Sequence, residues 1–253
     1  MTTKVYSLRN AAAAVSAFTL AAATAIAGPP LLTDDPDTPE RGHFEVNVAW
    51  TMERGADGWS HETPLLDFNY GLRDDIQLKF EMPWIVADPD GASRRSGIGN
   101  AEFGIKWRFL DEERSGISAS AYPQFAFNAT RRSVRKELVE PGWEFLLPVE
   151  VSRTFGKTTV FGEAGYVWTR DGGNGLLWGI AAEREIGEHF SVLAELHGES
   201  GTGFRGHSVV FNVGAHLQLE EHTALIFSAG RGIRSDDGDE TKLLGYAGLQ
   251  FTF

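Results

Sequence analysis

Tyr246-Ala247-Gly248-Leu249-Gln250-Phe251-Thr252-Phe253, the last eight residues, place an apolar side chain at every second position and finish on an aromatic ring. Period two is the signal of a strand with two different faces. A strand that faces lipid on one side and a lumen on the other needs this pattern. The same alternation recurs upstream. Phe44, Val46, Val48, Trp50 and Met52 oppose Glu45, Asn47, Thr51 and Glu53, while Ile76, Leu78, Phe80, Met82 and Trp84 oppose Gln77, Lys79 and Glu81. Phe103, Ile105, Trp107 and Phe109 oppose Glu102, Lys106 and Arg108, and Val209, Phe211, Val213, Ala215, Leu217 and Leu219 oppose Asn212, His216 and Gln218.

Twelve strands are predicted, at 42–53, 60–72, 75–86, 98–110, 116–128, 143–155, 157–170, 174–186, 190–199, 206–219, 223–233 and 243–253. A length of about ten residues suits a tilted crossing of the hydrocarbon layer. Short connections follow strands 2, 4, 6, 8 and 10, and longer ones follow most odd strands, notably 87–97, 129–142, 200–205 and 234–242. Short turns on one side and long loops on the other are the habit of single-chain bacterial barrels, and an even count puts both termini in the periplasm. The fold class is therefore all-β, a transmembrane antiparallel up-and-down β-barrel of about 12 strands. The seven tryptophans mostly lie toward a strand end, as an interfacial girdle would. A soluble sandwich with the same aromatics in its core is the competing arrangement.

Residues 1–27 read as a cleaved signal peptide: Lys4 and Arg9 form a basic start, 11–23 an Ala-rich apolar run, and Ala25-Ile26-Ala27 a small-x-small cleavage pattern. Without them 21 basic residues stand against 35 acidic ones, a net charge of −14. Such a surface excludes nucleic acid as the main partner. The chain has no cysteine, which suits passage through an oxidising periplasm. Residues 28–41 (GPPLLTDDPDTPER), rich in proline and acid, read as a solvated periplasmic segment, with a lumenal plug as the alternative. The barrel then occupies 42–253. Pro123 and Pro148 fall inside adjacent strands, where each removes a ladder bond, so that seam reads as a bulge or a lateral opening.

Three stretches carry a family resemblance: Thr33-Asp34-Asp35-Pro36-Asp37-Thr38-Pro39, Asp67 to Pro83 (DFNYGLRDDIQLKFEMP) and Gly97 to Phe109 (GIGNAEFGIKWRF). The chain from about Leu32 onward resembles the outer-membrane family labelled after the meta-pathway of phenol degradation. The resemblance implies a transporter or channel and brings no catalytic residue set. The terminal residues Tyr246, Gly248, Phe251 and Phe253 also resemble the insertion signal read by the barrel-assembly machinery.

The inward phase is acidic. Its pore-lining candidates are Glu102, Lys106, Arg108, Glu150, Glu163, Glu195 and His216. An open lumen with excess carboxylate favours cations. Twelve strands lie between the packed eight-stranded and the open sixteen-stranded barrels, so the count leaves open pore and closed lumen both standing. Arg94, Arg95, Arg131, Arg132, Arg135 and Lys136 fall on the outer loops, where lipopolysaccharide phosphates are possible partners. No Ser-His-acid arrangement, GxSxG, HExxH or phosphate loop occurs, and neighbours such as His189 and Ser191 offer no triad. The expectation is a non-enzymatic outer-membrane barrel of a Gram-negative bacterium, with no cofactor and no metal. It passes small solutes passively, hydrophobic or aromatic compounds among the options. The alternative is a non-conducting barrel with an envelope-structural or interaction role.

Overall fold

The computed structural model describes residues 29–170, 173–203, 206–236 and 241–253. The signal-peptide reading, residues 1–27, lies outside them. Fourteen strand segments build one closed antiparallel sheet. They are β1 (Phe44–Arg54), β2 (Gly58–Arg73), β3 (Ile76–Pro89), β4 (Arg95–Ile98), β5 (Asn100–Leu110), β6 (Ser118–Ala121), β7 (Gln124–Asn128) and β8 (Trp143–Phe155). Then come β9 (Thr158–Thr169), β10 (Gly175–Glu185), β11 (Phe190–Gly201), β12 (Ser208–Glu220), β13 (Thr223–Ser235) and β14 (Leu243–Thr252). Segments β4 and β5 form one wall strand, as do β6 and β7, so the barrel has twelve. Each strand pairs with its sequence neighbours, and β1 closes on β14 from Glu45↔Thr252 to Arg54↔Leu243. Phe44 and Phe253 exchange both backbone bonds at the seam, 2.7 and 3.0 Å.

Burial is inverted relative to a water-soluble protein. Glu45, Asn47, Asp67, Asn69, Lys106 and Glu150 are buried, while Trp50, Trp84, Phe103, Ile105, Trp107, Val149, Ile180, Phe211 and Leu249 are exposed. Burying apolar surface stabilises by about 25 cal/mol per Å², so such an outer face is stable only against lipid. Aromatic rings meet at both rims. Phe44 contacts Tyr70 and Phe253, and Trp107 contacts Phe109, at the short-turn end; Phe125 contacts Trp143, and Phe145 and Tyr166 contact Trp168, at the long-loop end. No helix among the described residues is long and apolar enough to cross a membrane; the crossing is made by strands.

The prolines are absorbed by local irregularities. Pro64 sits in a shift of register between Glu62 and Leu65, where no ladder donor is required. Pro83 faces the break between β4 and β5: its carbonyl accepts from Gly99 N–H at 2.8 Å, and a Cβ on Gly99 would stand 2.6 Å from the Pro83 ring. Only glycine fits there. At the other pair the register does not change across the prolines, running Ala121↔Val149 before them and Gln124↔Leu146 after. Tyr122 N–H donates to Pro148 O at 3.1 Å and Ile105 N–H to Pro123 O at 3.0 Å. The wall is continuous at this seam, which removes the lateral opening that two mid-strand prolines suggested. The missing Pro148 donor costs one ladder bond and no alignment.

Candidate functional site

The reading of 28–41 as a solvated tail is corrected. From His43 the chain turns inward at the short-turn rim and crosses the lumen as a strap. Leu31, Thr33, Asp34 and Asp35 are buried. At the rim Thr38 Oγ1 donates to Asp74 O at 2.9 Å, and Arg41 N–H to Asp74 Oδ1 at 3.2 Å. On the β5 side Arg108 donates to Asp37 at 3.2 Å, and Lys106 Nζ donates to Asp34 Oδ1 at 3.1 Å and to Asp35 O. On the opposite wall the Glu195 carboxylate accepts from Leu32 N–H at 2.8 Å and Thr33 N–H at 2.7 Å. Beyond it, Ser228 Oγ donates to Pro30 O at 2.6 Å and His216 Nε2 to Pro29 O at 3.1 Å.

Two features of the wall explain why an acidic, proline-rich segment leaves water. Leu31 packs on Phe161, Ala181 and Leu193, apolar residues in the inward phase of β9, β10 and β11 beside polar Thr159, Glu163, Glu183, Glu195 and His197. Glycines supply the space. A Cβ on Gly179 would lie 2.2 Å from Thr33 Oγ1, one on Gly71 2.0 Å from Glu40 O, and one on Gly214 3.0 Å from Pro30 Cγ. Burial raises the carboxyls of Asp34, Asp35 and Asp37 above the ordinary carboxylate range, and for Asp35 well above it. Lys106 opposes the rise at Asp34 and Asp35, and Arg108 opposes it at Asp37, without cancelling it.

All seven candidate pore residues point into the lumen. Lys106, Arg108, Glu195 and His216 hold the strap directly. Glu102 and Glu150 complete an ion-pair cluster, Glu102 on Lys79 at 2.8 Å and Glu150 on Lys106 at 3.4 Å, with Lys106 also 4.6 Å over the Tyr122 ring. Glu163 lies 3.7 Å from His197. Toward the short-turn end Asn47 and Asn69 both donate to Asp67 at 2.9 Å, and Gln77 donates to Asn69 at 2.8 Å, so side chains fill the lumen there. Of the four residues named for insertion, Tyr246 and Gly248 face inward and Phe253 outward, so the set spans both faces of β14.

The open space lies above the strap. A cavity of about 430 Å³ opens at the long-loop end and is floored by Pro30, Leu31 and Leu32. Its wall includes Glu53, Glu62, Glu81, His197, Glu199 and Tyr246, and none of the seven pore candidates. The loop between β7 and β8 bends over it: Glu137 and Leu138 line the cavity, Ser133 Oγ donates to Ile98 O at 2.5 Å, and Lys136 Nζ donates to Ser96 O at 2.5 Å. Sequence reasoning missed this folded loop and held the strap only as the lumenal-plug alternative. A trace of the strap in the sequence is the inward apolar group Phe161, Ala181 and Leu193, one of two such groups on this wall. Among the described residues no group of three or more His, Asp or Glu side chains is arranged to hold a metal ion.

No protein-family model and no curated protein matches the chain. Solved structures do. The COG4313 outer membrane channel from Pseudomonas putida F1 superposes with a TM-score of 0.72 at 15% identity, covering 87% of this chain and 98% of that one. The KdgM porin gives 0.55 at 13% identity over 82% and 99%, and the translocator domain of the autotransporter NalP from Neisseria meningitidis 0.54 at 11% over 82% and 88%. At these identities the likeness establishes the outer-membrane type of β-barrel fold.

Proposed function

We propose that this protein is a non-enzymatic outer-membrane channel for passive passage of small solutes, a member of the family that the first half of its barrel resembles. The observation that carries this reading is the vestibule: among the described residues a cavity reaches from the long-loop end down to Pro30–Leu32 and is floored there by a separate segment of chain. A strap held by hydrogen bonds and ion pairs is a displaceable floor, unlike a wall of packed strands. With the long loops outside, the cell surface feeds the vestibule and the strap enters from the periplasm. The P. putida channel and the KdgM porin support a passive route. Arg131, Arg132 and Arg135 are exposed, and in this reading their guanidinium groups pair with lipopolysaccharide phosphates at the outer rim.

The test is conductance of the refolded full chain in a planar bilayer under a potassium chloride gradient. Cation-selective steps that grow when residues 29–39 are deleted are the expected result. Silence in both forms, from protein with the heat-modifiable gel mobility of a folded barrel, overturns it. One observation favours the alternative, a non-conducting barrel: below the strap Glu45, Asn47, Asp67, Asn69 and Gln77 are all buried, so removing the strap does not by itself clear the lumen.

A further inference from the structure

The loop between β7 and β8 is fastened to the wall by side chains. Among the described residues β4 pairs with β3 alone; past Asn128 the chain that would extend β7 along the other edge of β4 turns away into a single helical turn, Arg131–Arg135. An open strand edge has to be covered. The loop covers this one: Lys136 Nζ donates to Ser96 O and Ser133 Oγ to Ile98 O, each at 2.5 Å. Leu138 rests on Gly97, where a Cβ would stand 2.9 Å from Leu138 Cδ1. Arg95 donates to Glu137 Oε2 at 2.5 Å and to Lys136 O at 3.0 Å. A continued backbone ladder would make this loop part of the wall, whereas side-chain bonds to an edge leave it separable. A second observation lies in the loop's own backbone. Glu137 has a φ of +53°, and among the described residues no other residue but glycine has a positive φ. Left-handed backbone is costly for a residue with a side chain, and such positions concentrate at clamps and switches, held by their surroundings. Arg95 is what holds Glu137. The ends of the loop are tied independently: Asn128 donates to Glu140 O at 2.8 Å and accepts from Gly142 N–H at 2.8 Å. The base is fixed to β7 and the tip rests on β4.

We propose that residues 129–142 form a lid on the vestibule, which swings about its Asn128-tied base and is latched to β4 by Arg95. Arg95, Glu137 and Leu138 line the cavity, so lifting the tip widens its mouth. The latch is an exposed pair, with side-chain exposures of 34% for Arg95 and 81% for Glu137. Such a pair contributes little and is screened by salt, so it releases without unfolding the barrel. As a control on passage, the lid rests on the channel reading above; as a moving part it is testable without any current.

The chain has no cysteine, so an introduced thiol is the sole one. Ser133 is 2% exposed, seated under the lid, and Ser208 lines the cavity. In the folded full-length protein in detergent, Ser133→Cys reports lifting of the lid through its rate of reaction with N-ethylmaleimide. Ser208→Cys reports entry to the vestibule through its reaction with the bulkier fluorescein maleimide. Adding Arg95→Gln is expected to speed both reactions about three- to tenfold, the worth of one hydrogen bond. Gly97→Val, which fills the seat of Leu138, is expected to speed both as well. Raising potassium chloride is expected to speed the Ser133→Cys reaction while Arg95 is present and to leave it unchanged after Arg95→Gln. Heat-modifiable mobility confirms that each variant is folded. An unchanged Ser133→Cys rate in both Arg95→Gln and Gly97→Val overturns the latch, as does a salt response that survives Arg95→Gln. Faster reaction at Ser133→Cys with none gained at Ser208→Cys overturns the lid. Faster reaction at both positions without potassium chloride current would sink the channel reading and leave the lid standing; current with unchanged rates would do the reverse.

Discussion

Gly179→Val tests whether the strap is the floor of the vestibule. The Cβ of any residue at position 179 would lie 2.2 Å from Thr33 Oγ1, 2.7 Å from its Cγ2 and 2.9 Å from its Cβ. Rotating the Thr33 side chain clears the first two contacts and leaves the third, so the strap backbone must move. Overpacking of this kind costs about 1–3 kcal/mol. That shifts the ratio of docked to undocked strap by about five- to 150-fold. Gly179 faces the lumen and pairs with Glu163 and His197 in a regular ladder, so the barrel itself should close as before. The direct readout is hydrogen exchange of the Leu32 and Thr33 amides, both of which donate to Glu195. They should exchange faster by that same factor, with barrel amides unchanged. Conductance should rise in parallel. Unchanged exchange at 32 and 33 in a folded barrel would refute the close-fit argument. Faster exchange without any change in current would place the barrier below the strap, in the packed Asp67 and Asn69 layer.

Three further outcomes follow from the same contacts. Leu31→Ala should loosen the strap by about 1.5–3 kcal/mol, the worth of one buried leucine side chain, and raise exchange at Leu32 and Thr33 without altering the barrel's heat-modifiable shift. Lys106→Met strands Asp34 and Glu150 without their shared cation. Breaking a buried pair in this way costs about 3–5 kcal/mol, so the urea midpoint should fall, with Lys106→Arg recovering part of the loss. The pH dependence comes from Asp34, Asp35 and Asp37, whose carboxyls burial raises. The docked strap therefore binds more protons than the undocked one. Docking is fully favoured below the ordinary carboxylate range and is progressively lost as pH rises through the raised values. Amide exchange at Leu32 and Thr33, corrected for its intrinsic pH dependence, should show less protection at high pH; more protection there would refute the assignment.

The strand pattern was legible because lipid and lumen impose opposite demands on alternate residues, and that demand is local. Phe103, Ile105 and Trp107 against Glu102 and Lys106 declare their faces without any knowledge of neighbours, and the segment at 143–155 is read from the sequence with the bounds it has in the structure. The inward direction of Glu150, Glu163 and Glu195 follows from the same period. Tertiary structure alone decided what those side chains do. Residues 34–40 carry prolines and one sign of charge, which locally describes a solvated tail; the partners of the segment, Lys106, Arg108 and Glu195, come from wall strands far along the chain. The room for the strap is made by absent atoms at Gly71, Gly179 and Gly214, and an absent side chain leaves no periodicity to read. Likewise Pro123 and Pro148 each look like a defect in their own strand. Only the pairing of three strands shows the register passing through them intact. Local alternation fixes which way a side chain faces, whereas the fill of a lumen depends on which distant segments arrive there, a property of chain closure that no short window of sequence contains.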